Sequence, residues 1–348
     1  MKKSSVRNII ILISVLILIA SVFIYDYYKT FHYANTSFSQ NEIHLYIPTG
    51  THFNGLKKII KPYLNDSLSF FKASTKKNFI NNVKPGKYLI KGGFSNSEII
   101  HSLRFENIPI NVTFNNLERL ENLASKISKL IEPDSISLMK SFLESDFLIE
   151  NQLTKESVFS IFLPNTYEFY WNSTPHDFRN RMLKYFMSYW TPEKIKKAKS
   201  LNLSPIDVSI LASIVQRETP KVDERPTISG VYYNRLKKKM KLQADPTVIY
   251  TIKQKNGFDK KIRRVLYKDL KIDSPYNTYK YRGLPPGPIY MPDLSSIESV
   301  LNLQNHEYLF FVADVSRPGY HIFAKNLFQH NRNKRQYTNW LRKNKIKR

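Results

Sequence analysis

Hydrophobic and polar positions change their spacing several times along this chain, and those changes outline its elements. The first segment has no period at all. Asn8 to Tyr25, NIIILISVLILIASVFIY, is uncharged and nearly all aliphatic, which suits a bilayer span rather than one face of a soluble helix. Residues 26–40, DYYKTFHYANTSFSQ, are mixed and aromatic and read as a juxtamembrane linker. Ile43, Leu45 and Ile47 then alternate as a strand, Pro48-Thr49-Gly50 turns the chain, and Phe53 to Tyr63 has helical spacing. A turn at Val83 to Tyr88 enters a short strand, Tyr88 to Ile90, and Ser95-Asn96-Ser97-Glu98 carries the start signal of a helix running through Leu103. Beyond it the pattern predicts a strand at Ile110 to Phe114 and an amphipathic helix at Leu117 to Leu130. A proline-broken aromatic segment, Phe162 to Phe169, goes from loop to strand, and a helix follows at Phe178 to Trp190. A helix around Thr227 to Leu236 and a basic helix with Asn326 and His330, with a strand at Tyr320 to Phe323 between them, complete an α+β reading without internal repeats.

One helix in this series carries a chemical anomaly. In Ser204 to Pro220, SPIDVSILASIVQRETP, Ser204, Pro205 and Asp207 form a helix start: a capping hydroxyl, a proline in the first turn and an acid at the positive end. Val208, Leu211, Ala212 and Val215 recur as one buried stripe, and Glu218 falls on that stripe. Pro220 disfavours helix at Thr219, so Glu218 is also in the last turn, beside carbonyls that lack amide partners. Burial and the negative helix end both favour the neutral acid, the state a general acid needs near neutral pH. The plainer alternative is a boundary glutamate paired with Arg217 or Arg225.

Charge and composition narrow the setting. Lys and Arg number 54 against 28 Asp and Glu, a formal net charge of +26, which raises nucleic acid as a partner. The excess, however, is lysine scattered over the whole length with abundant Asn and Ile, and no basic-aromatic recognition motif accompanies it, so no nucleic-acid partner is expected. Lys2, Lys3 and Arg7 precede the apolar run, which places the N-terminus in the cytoplasm and the rest outside the plasma (inner) membrane. A cleaved signal peptide is the alternative. The absence of Cys excludes disulfides, thiol nucleophiles and zinc–cysteine sites, and His321 and His330 lack metal-ligand spacing, so neither metal nor cofactor is expected.

Downstream of Glu218 stand three further blocks: Gln243-Ala244-Asp245-Pro246-Thr247, Ser274-Pro275-Tyr276-Asn277-Thr278-Tyr279, and a rigid loop, Arg282-Gly283-Leu284-Pro285-Pro286-Gly287-Pro288-Ile289. Amide, hydroxyl and flat aromatic groups together suit a polysaccharide groove. Each has a structural alternative: Asp245 as the N-cap of a helix from Pro246, Tyr276 and Tyr279 as packing aromatics, Asn277 bonding its own backbone in a turn. With LASIVQRET, NRL, LQADPTVIY, SPYNTY, GLPPGPI, LFFVAD and HIF in this order, the chain resembles the MltG (YceG-like) endolytic murein transglycosylases over nearly everything after the linker. The resemblance implies a cytoplasmic end and anchor at 1–25, the linker at 26–40, a LysM-like subdomain at 41–107, a catalytic domain at 108–340 and a basic tail at 341–348. It also implies peptidoglycan glycan strands as substrate, peptidoglycan synthases as partners, and Glu218 as the catalytic acid/base. Gln243, Asp245, Thr247, Tyr276, Asn277 and Tyr279 match positions that line the family's cleft. The chain departs from the family pattern at Gln216-Arg217 and at Phe114 to Glu118. A membrane-tethered glycan-binding protein without catalysis is the alternative function.

Overall fold

The computed structural model describes residues 2–262 and 264–344, so residues 345–348 of the expected basic tail lie outside it. The chain forms two compact units. One comprises residues 1–111 with 130–132 and 168–173, and the other holds the remainder.

In the first unit, helix α1 (Lys2–His32) is followed by β1 (Glu42–Ile47), α2 (Phe53–Ile60), a 3-10 turn at Lys61–Tyr63, α3 (Ser67–Lys76), β2 (Gly86–Lys91) and α4 (Asn96–Phe105). β1 and β2 pair antiparallel from Glu42↔Lys91 to Ile47↔Gly86. Alternation sends Leu45, Ile47, Tyr88 and Ile90 into a core completed by Leu56, Ile60, Phe70, Phe79, Ile99 and Leu103. α4 starts at the capping box read from the sequence, with Ser95 and Glu98 bonded reciprocally. The stretch expected as a linker is different. Residues 26–32 continue α1 as helix, Phe31 joins the core at 4% exposure, and Thr30 and Asn35 are buried. The reason is polar bonding to residues distant in sequence: Asn96 Nδ2 donates to the Thr30 carbonyl at 2.8 Å, and Asn35 Nδ2 donates to Asn96 Oδ1 at 2.7 Å and to the Asp66 carbonyl at 2.8 Å.

The second unit carries the anomalous helix at its centre. β3 (Pro109–Phe114), which enters this unit at Val112, pairs with β4 (Asn165–Tyr170), which leaves it after Tyr167, and between them in sequence lie α5 (Leu120–Ile127), α6 (Ser135–Phe142) and α7 (Ser145–Glu150). Then come α8 (Pro175–Tyr189), α9 (Pro192–Ser200), α10 (Pro205–Glu218), α11 (Arg225–Lys237), α12 (Asp245–Asn256) and α13 (Leu294–Leu301). A hairpin of β5 (Phe310–Ala313) and β6 (His321–Ala324) follows, and α14 (Leu327–Lys343) ends the described chain. α5 is shorter than the expected Leu117 to Leu130, because Asn116 sits at φ +50° and Arg119 is extended, so the chain cannot enter a helix before Leu120. α8 begins earlier than expected, at Pro175, where a Thr174–Asp177 capping box opens a polar first turn that apolar periodicity cannot register. α10 opens on the Ser204–Asp207 capping box. It does not expose an opposite face: every residue from Val208 to Val215 is buried, because α9, α11, α12 and α13 surround it.

Candidate active site

Glu218 is the last residue of α10, and Thr219 leaves the helix extended at φ −139°. Its side chain stands in a pocket of about 330 Å³ lined by Glu218, Tyr232, Arg235, Gln243, Asp245, Tyr279, Phe310, Phe311, Leu327 and His330. These come from α10, α11, the turn into α12, the segment before the glycine–proline loop, β5 and α14. Glu218 keeps a little accessible surface at the pocket, as a group that meets a substrate must, but is otherwise densely enclosed. Tyr232 Oη, almost fully buried, donates to Glu218 Oε1 at 2.5 Å. Burial first and the nearby Asp245 charge raise the Glu218 carboxyl to about 7, against the lowering pull of the Tyr232 hydrogen bond, His321 and Arg235. Neither arginine forms the boundary ion pair considered above. Arg225 Nη1 bonds both oxygens of Asp293 at 2.9 Å, and the Arg217 guanidinium lies 4.9 Å over the Tyr290 ring.

A second acid–tyrosine pair faces the same pocket. Tyr279 Oη donates to Asp245 Oδ1 at 2.6 Å, and burial, then this carboxylate, keep that phenol protonated. Asp245 is not an N-cap: it is the first residue of α12, and Ala244 occupies the cap without a side-chain bond. Tyr279 takes up the carboxylate instead. Gln243 lines the pocket with its backbone at φ +49°, held there by its amide donating to the Thr278 carbonyl at 3.1 Å. A glutamine confined to this left-handed region carries strain of about 1 kcal/mol or more that the surrounding bonds must offset.

Three of the singled-out residues lie outside the pocket lining. Thr247 is fully buried, donates to the Ala244 carbonyl at 2.7 Å and meets Thr278 Oγ1 at 2.9 Å. Asn277, also fully buried, donates from Nδ2 to the carbonyls of Leu270 and Ile272 and accepts from the Tyr279 amide. Tyr276 packs its ring 4.8 Å from that of Tyr250. These residues shape the two backbone turns that present Gln243, Asp245 and Tyr279.

Sequence reading assigned no role to Tyr232, Arg235, Phe310, Phe311, Leu327 or His330. Arg235 braces the pocket floor, donating from Nε to the Leu309 carbonyl at 2.7 Å and from Nη1 to the Leu242 carbonyl at 2.5 Å. His330 stacks on Phe310 at 5.2 Å, and burial, with Lys334 and Arg235 nearby, lowers its pKa and keeps the imidazole neutral. Arg235 belongs to the NRL block, Phe310 and Phe311 to LFFVAD, and Leu327 and His330 to the last helix, whereas Tyr232 lies in none of these. The two stretches expected to depart from the family pattern meet in space: Gln216 Nε2 donates to Asn116 Oδ1 at 3.2 Å, while Gln216 Oε1 accepts from the Asp293 amide at 2.6 Å.

The arrangement offers one carboxyl raised to about 7 beside an accessible space with apolar aromatic walls and several polar groups, which is chemistry for proton donation to a bound sugar oxygen. Comparison with known proteins gives the same direction. The YceG-like family profile matches residues 45–336. An endolytic murein transglycosylase of Bacillus subtilis (strain 168) is 32% identical over 321 residues, 86% of each chain. An endolytic murein transglycosylase of Streptococcus pneumoniae is 40% identical over 141 residues, 40% of this chain and 25% of that one. A crystal structure of a yceG-like protein from Listeria monocytogenes superposes with a TM-score of 0.54 at 25% identity, over 84% of this chain and 99% of the other. With a profile match across most of its length and a relative of this identity and coverage, the chain belongs to the YceG-like family.

Proposed function

We propose that this protein is a membrane-anchored endolytic lytic transglycosylase that cuts peptidoglycan glycan strands between N-acetylmuramic acid and N-acetylglucosamine. The observation that carries the reading is the enclosed Glu218, raised to about 7 and held on one oxygen by Tyr232. Glu218 donates its proton to the bridging glycosidic oxygen, and the C1–O bond breaks. Positive charge develops at C1 of the muramoyl residue, where its own acetamido oxygen stabilises it. The Glu218 carboxylate then takes the proton from the C6 hydroxyl as that oxygen closes onto C1. The products are a 1,6-anhydromuramoyl end and a free N-acetylglucosamine end. No water is consumed, so a second catalytic carboxylate is not required, unlike in most hydrolysing glycosidases. One group serves as acid and then as base, which a pKa near the working pH allows.

Gln243, Asp245, Tyr279 and the Phe310–Phe311 wall are assigned to sugar contacts, and Thr247, Tyr276 and Asn277 to holding the loops behind them. The first unit's strand–helix–helix–strand order supports a LysM-like role in holding the wall. Residues 5–32 form a helix long and apolar enough to cross a membrane. With Lys2, Lys3 and Arg7 before it, we place the N-terminus in the cytoplasm and the chain after the apolar run outside it, near the peptidoglycan synthases whose product the enzyme trims. Mass spectrometry of purified sacculi digested with the protein tests the function. Anhydromuramoyl ends from the parent chain and none from Glu218→Gln are expected; intact strands from the parent chain would instead identify a glycan-binding protein.

A further inference from the structure

Two hydrogen-bond donors at the Glu218 pocket are left over by the protein itself. Arg235 of α11 lines the pocket and is only 7% exposed. Its Nε and Nη1 donate to the backbone carbonyls of Leu309 and Leu242, which fixes the guanidinium plane. Among the described residues no acceptor meets Nη2, which keeps accessible surface. With the rest of the residue buried, that surface opens on the pocket it lines. His330 of α14 lines the same pocket. Its ring stacks on Phe310 with 5.2 Å between centroids, and the guanidinium carbon of Arg235 lies 5.3 Å from the centre of that phenyl ring. One aromatic side chain thus holds both groups. Nδ1 of His330 is enclosed and has no partner, so the neutral imidazole carries its proton best on Nε2, where a ligand can accept it. The carboxyl groups of Glu218 and Asp245 are already engaged by Tyr232 and Tyr279. The missing acceptor is therefore one that the ligand brings.

We infer that Arg235 Nη2 and His330 Nε2 bind the lactyl acyl oxygen of the muramoyl residue at Glu218, and so make the pocket select muramoyl over glucosaminyl residues. The assignment rests on the transglycosylase reading given under Proposed function. In that reaction positive charge develops at C1, so a guanidinium beside C1, or on the acetamido oxygen that stabilises it, would oppose the chemistry. The C6 hydroxyl is committed to Glu218. The lactyl group on C3 stands two ring atoms from C1, and its acyl oxygen is an acceptor that the reaction does not use. It is also the group that distinguishes a muramoyl from a glucosaminyl residue. With a stem peptide attached this oxygen belongs to an amide, and without one to a carboxylate, which a guanidinium binds more strongly.

The test compares three substrates for the full-length protein in detergent: intact sacculi, glycan strands freed of stem peptides by an amidase, and the same strands after carbodiimide and borohydride have reduced the lactyl carboxylate to an alcohol. Anhydromuramoyl ends, counted by mass spectrometry, give kcat/KM for the two stem-free strands. The parent is expected to cut the carboxylate strand about 10- to 100-fold more efficiently than the reduced one, as loss of a charge-assisted hydrogen bond implies. His330→Ala removes one donor, and Arg235→Lys keeps the charge but loses the planar fork; each is expected to narrow that ratio about threefold or more. A variant that folds poorly loses activity on both strands alike and leaves the ratio in place, so the ratio reads the contact rather than stability. An unchanged ratio in either variant overturns that residue's part in the subsite. Equal cutting of the two stem-free strands by the parent, or cutting of sacculi alone, overturns the lactyl subsite while the function stands. No anhydromuramoyl ends from any of the three substrates overturns the function itself.

Discussion

A carboxyl group raised to about 7 inside a pocket makes two measurable statements, one about rate and one about stability. For rate, the acid form of Glu218 is present below about 7 and lost above it, so turnover on purified glycan should decline as pH rises through neutrality. Tyr232→Phe removes a hydrogen bond that lowers this pKa while leaving burial, Asp245, His321 and Arg235 in place. The declining limb should then move to higher pH with activity retained; a limb at unchanged pH would show that the phenol merely fills space. For stability, the folded state holds the Glu218 proton more tightly than the unfolded chain, whose carboxyl titrates near 4.5. Folding stability is therefore lost as pH rises from that value to about 7 and stays lost above it. Glu218→Gln escapes this loss, so its melting temperature should exceed the parent's at pH 8, by an amount worth at most about 3 kcal/mol, and the gap should close towards pH 4. Glu218 itself was legible in the sequence, because a capped helix, an apolar stripe and a terminating proline are all local. Tyr232 and His330 were not, because nothing local distinguishes a tyrosine aimed at a carboxylate from one packed in a core.

At the level of elements, the pocket depends on turns that are themselves held by buried polar bonds. The backbone amide of Ala244 donates to Thr278 Oγ1 at 3.0 Å, and Thr247 completes that cluster. Thr247→Val should leave Thr278 and the Ala244 carbonyl short of a partner, at a cost of about 1–3 kcal/mol. It should appear as a lower urea midpoint with an unchanged slope. The glycine–proline loop is tied to α10 through the Ile289 amide, which donates to Ser213 Oγ at 3.1 Å. Within it, a Cβ at Gly287 would fall 2.0 Å from the Glu156 carbonyl oxygen, a contact that backbone cannot yield cheaply. Gly287→Ala should therefore destabilise by about 1–3 kcal/mol or prevent folding of the second unit, measured in the same titration. Helices α4 and α10 were read from periodicity and caps, α3, α6, α7, α9 and α13 were not read, and α5 was read too long. Its start is set by a left-handed Asn116 that no apolar pattern encodes. The all-round burial of α10 likewise exceeded its one visible stripe, since small residues such as Ser209 and Ser213 enter a core without looking apolar.

For the whole molecule, the long apolar part of α1 and the folded remainder of the first unit make separable predictions. None of the α1 window that suits a membrane is buried inside the protein, so removing residues 1–25 should yield a soluble chain whose thermal unfolding matches the parent's in detergent. Removing residues 1–40 takes away Thr30, Phe31 and Asn35, which are buried. That chain should unfold at a lower temperature, as loss of one buried aromatic alone costs about 3–5 kcal/mol; equal stability of the two truncations would refute the packing of 26–35. Sequence by itself determined the long apolar helix near the N-terminus, the capping boxes at Ser95 and Ser204 and the acid at the end of α10, because each depends on neighbours a few positions away. The order of the motif blocks determined the family. Only the tertiary structure decided that Glu218 shares a pocket with Tyr232, Asp245, Tyr279 and His330 while Thr247 and Asn277 stand behind it. Those distances close between residues up to 112 positions apart, and the burial that raises the Glu218 pKa belongs to the assembled walls rather than to any segment that supplies them.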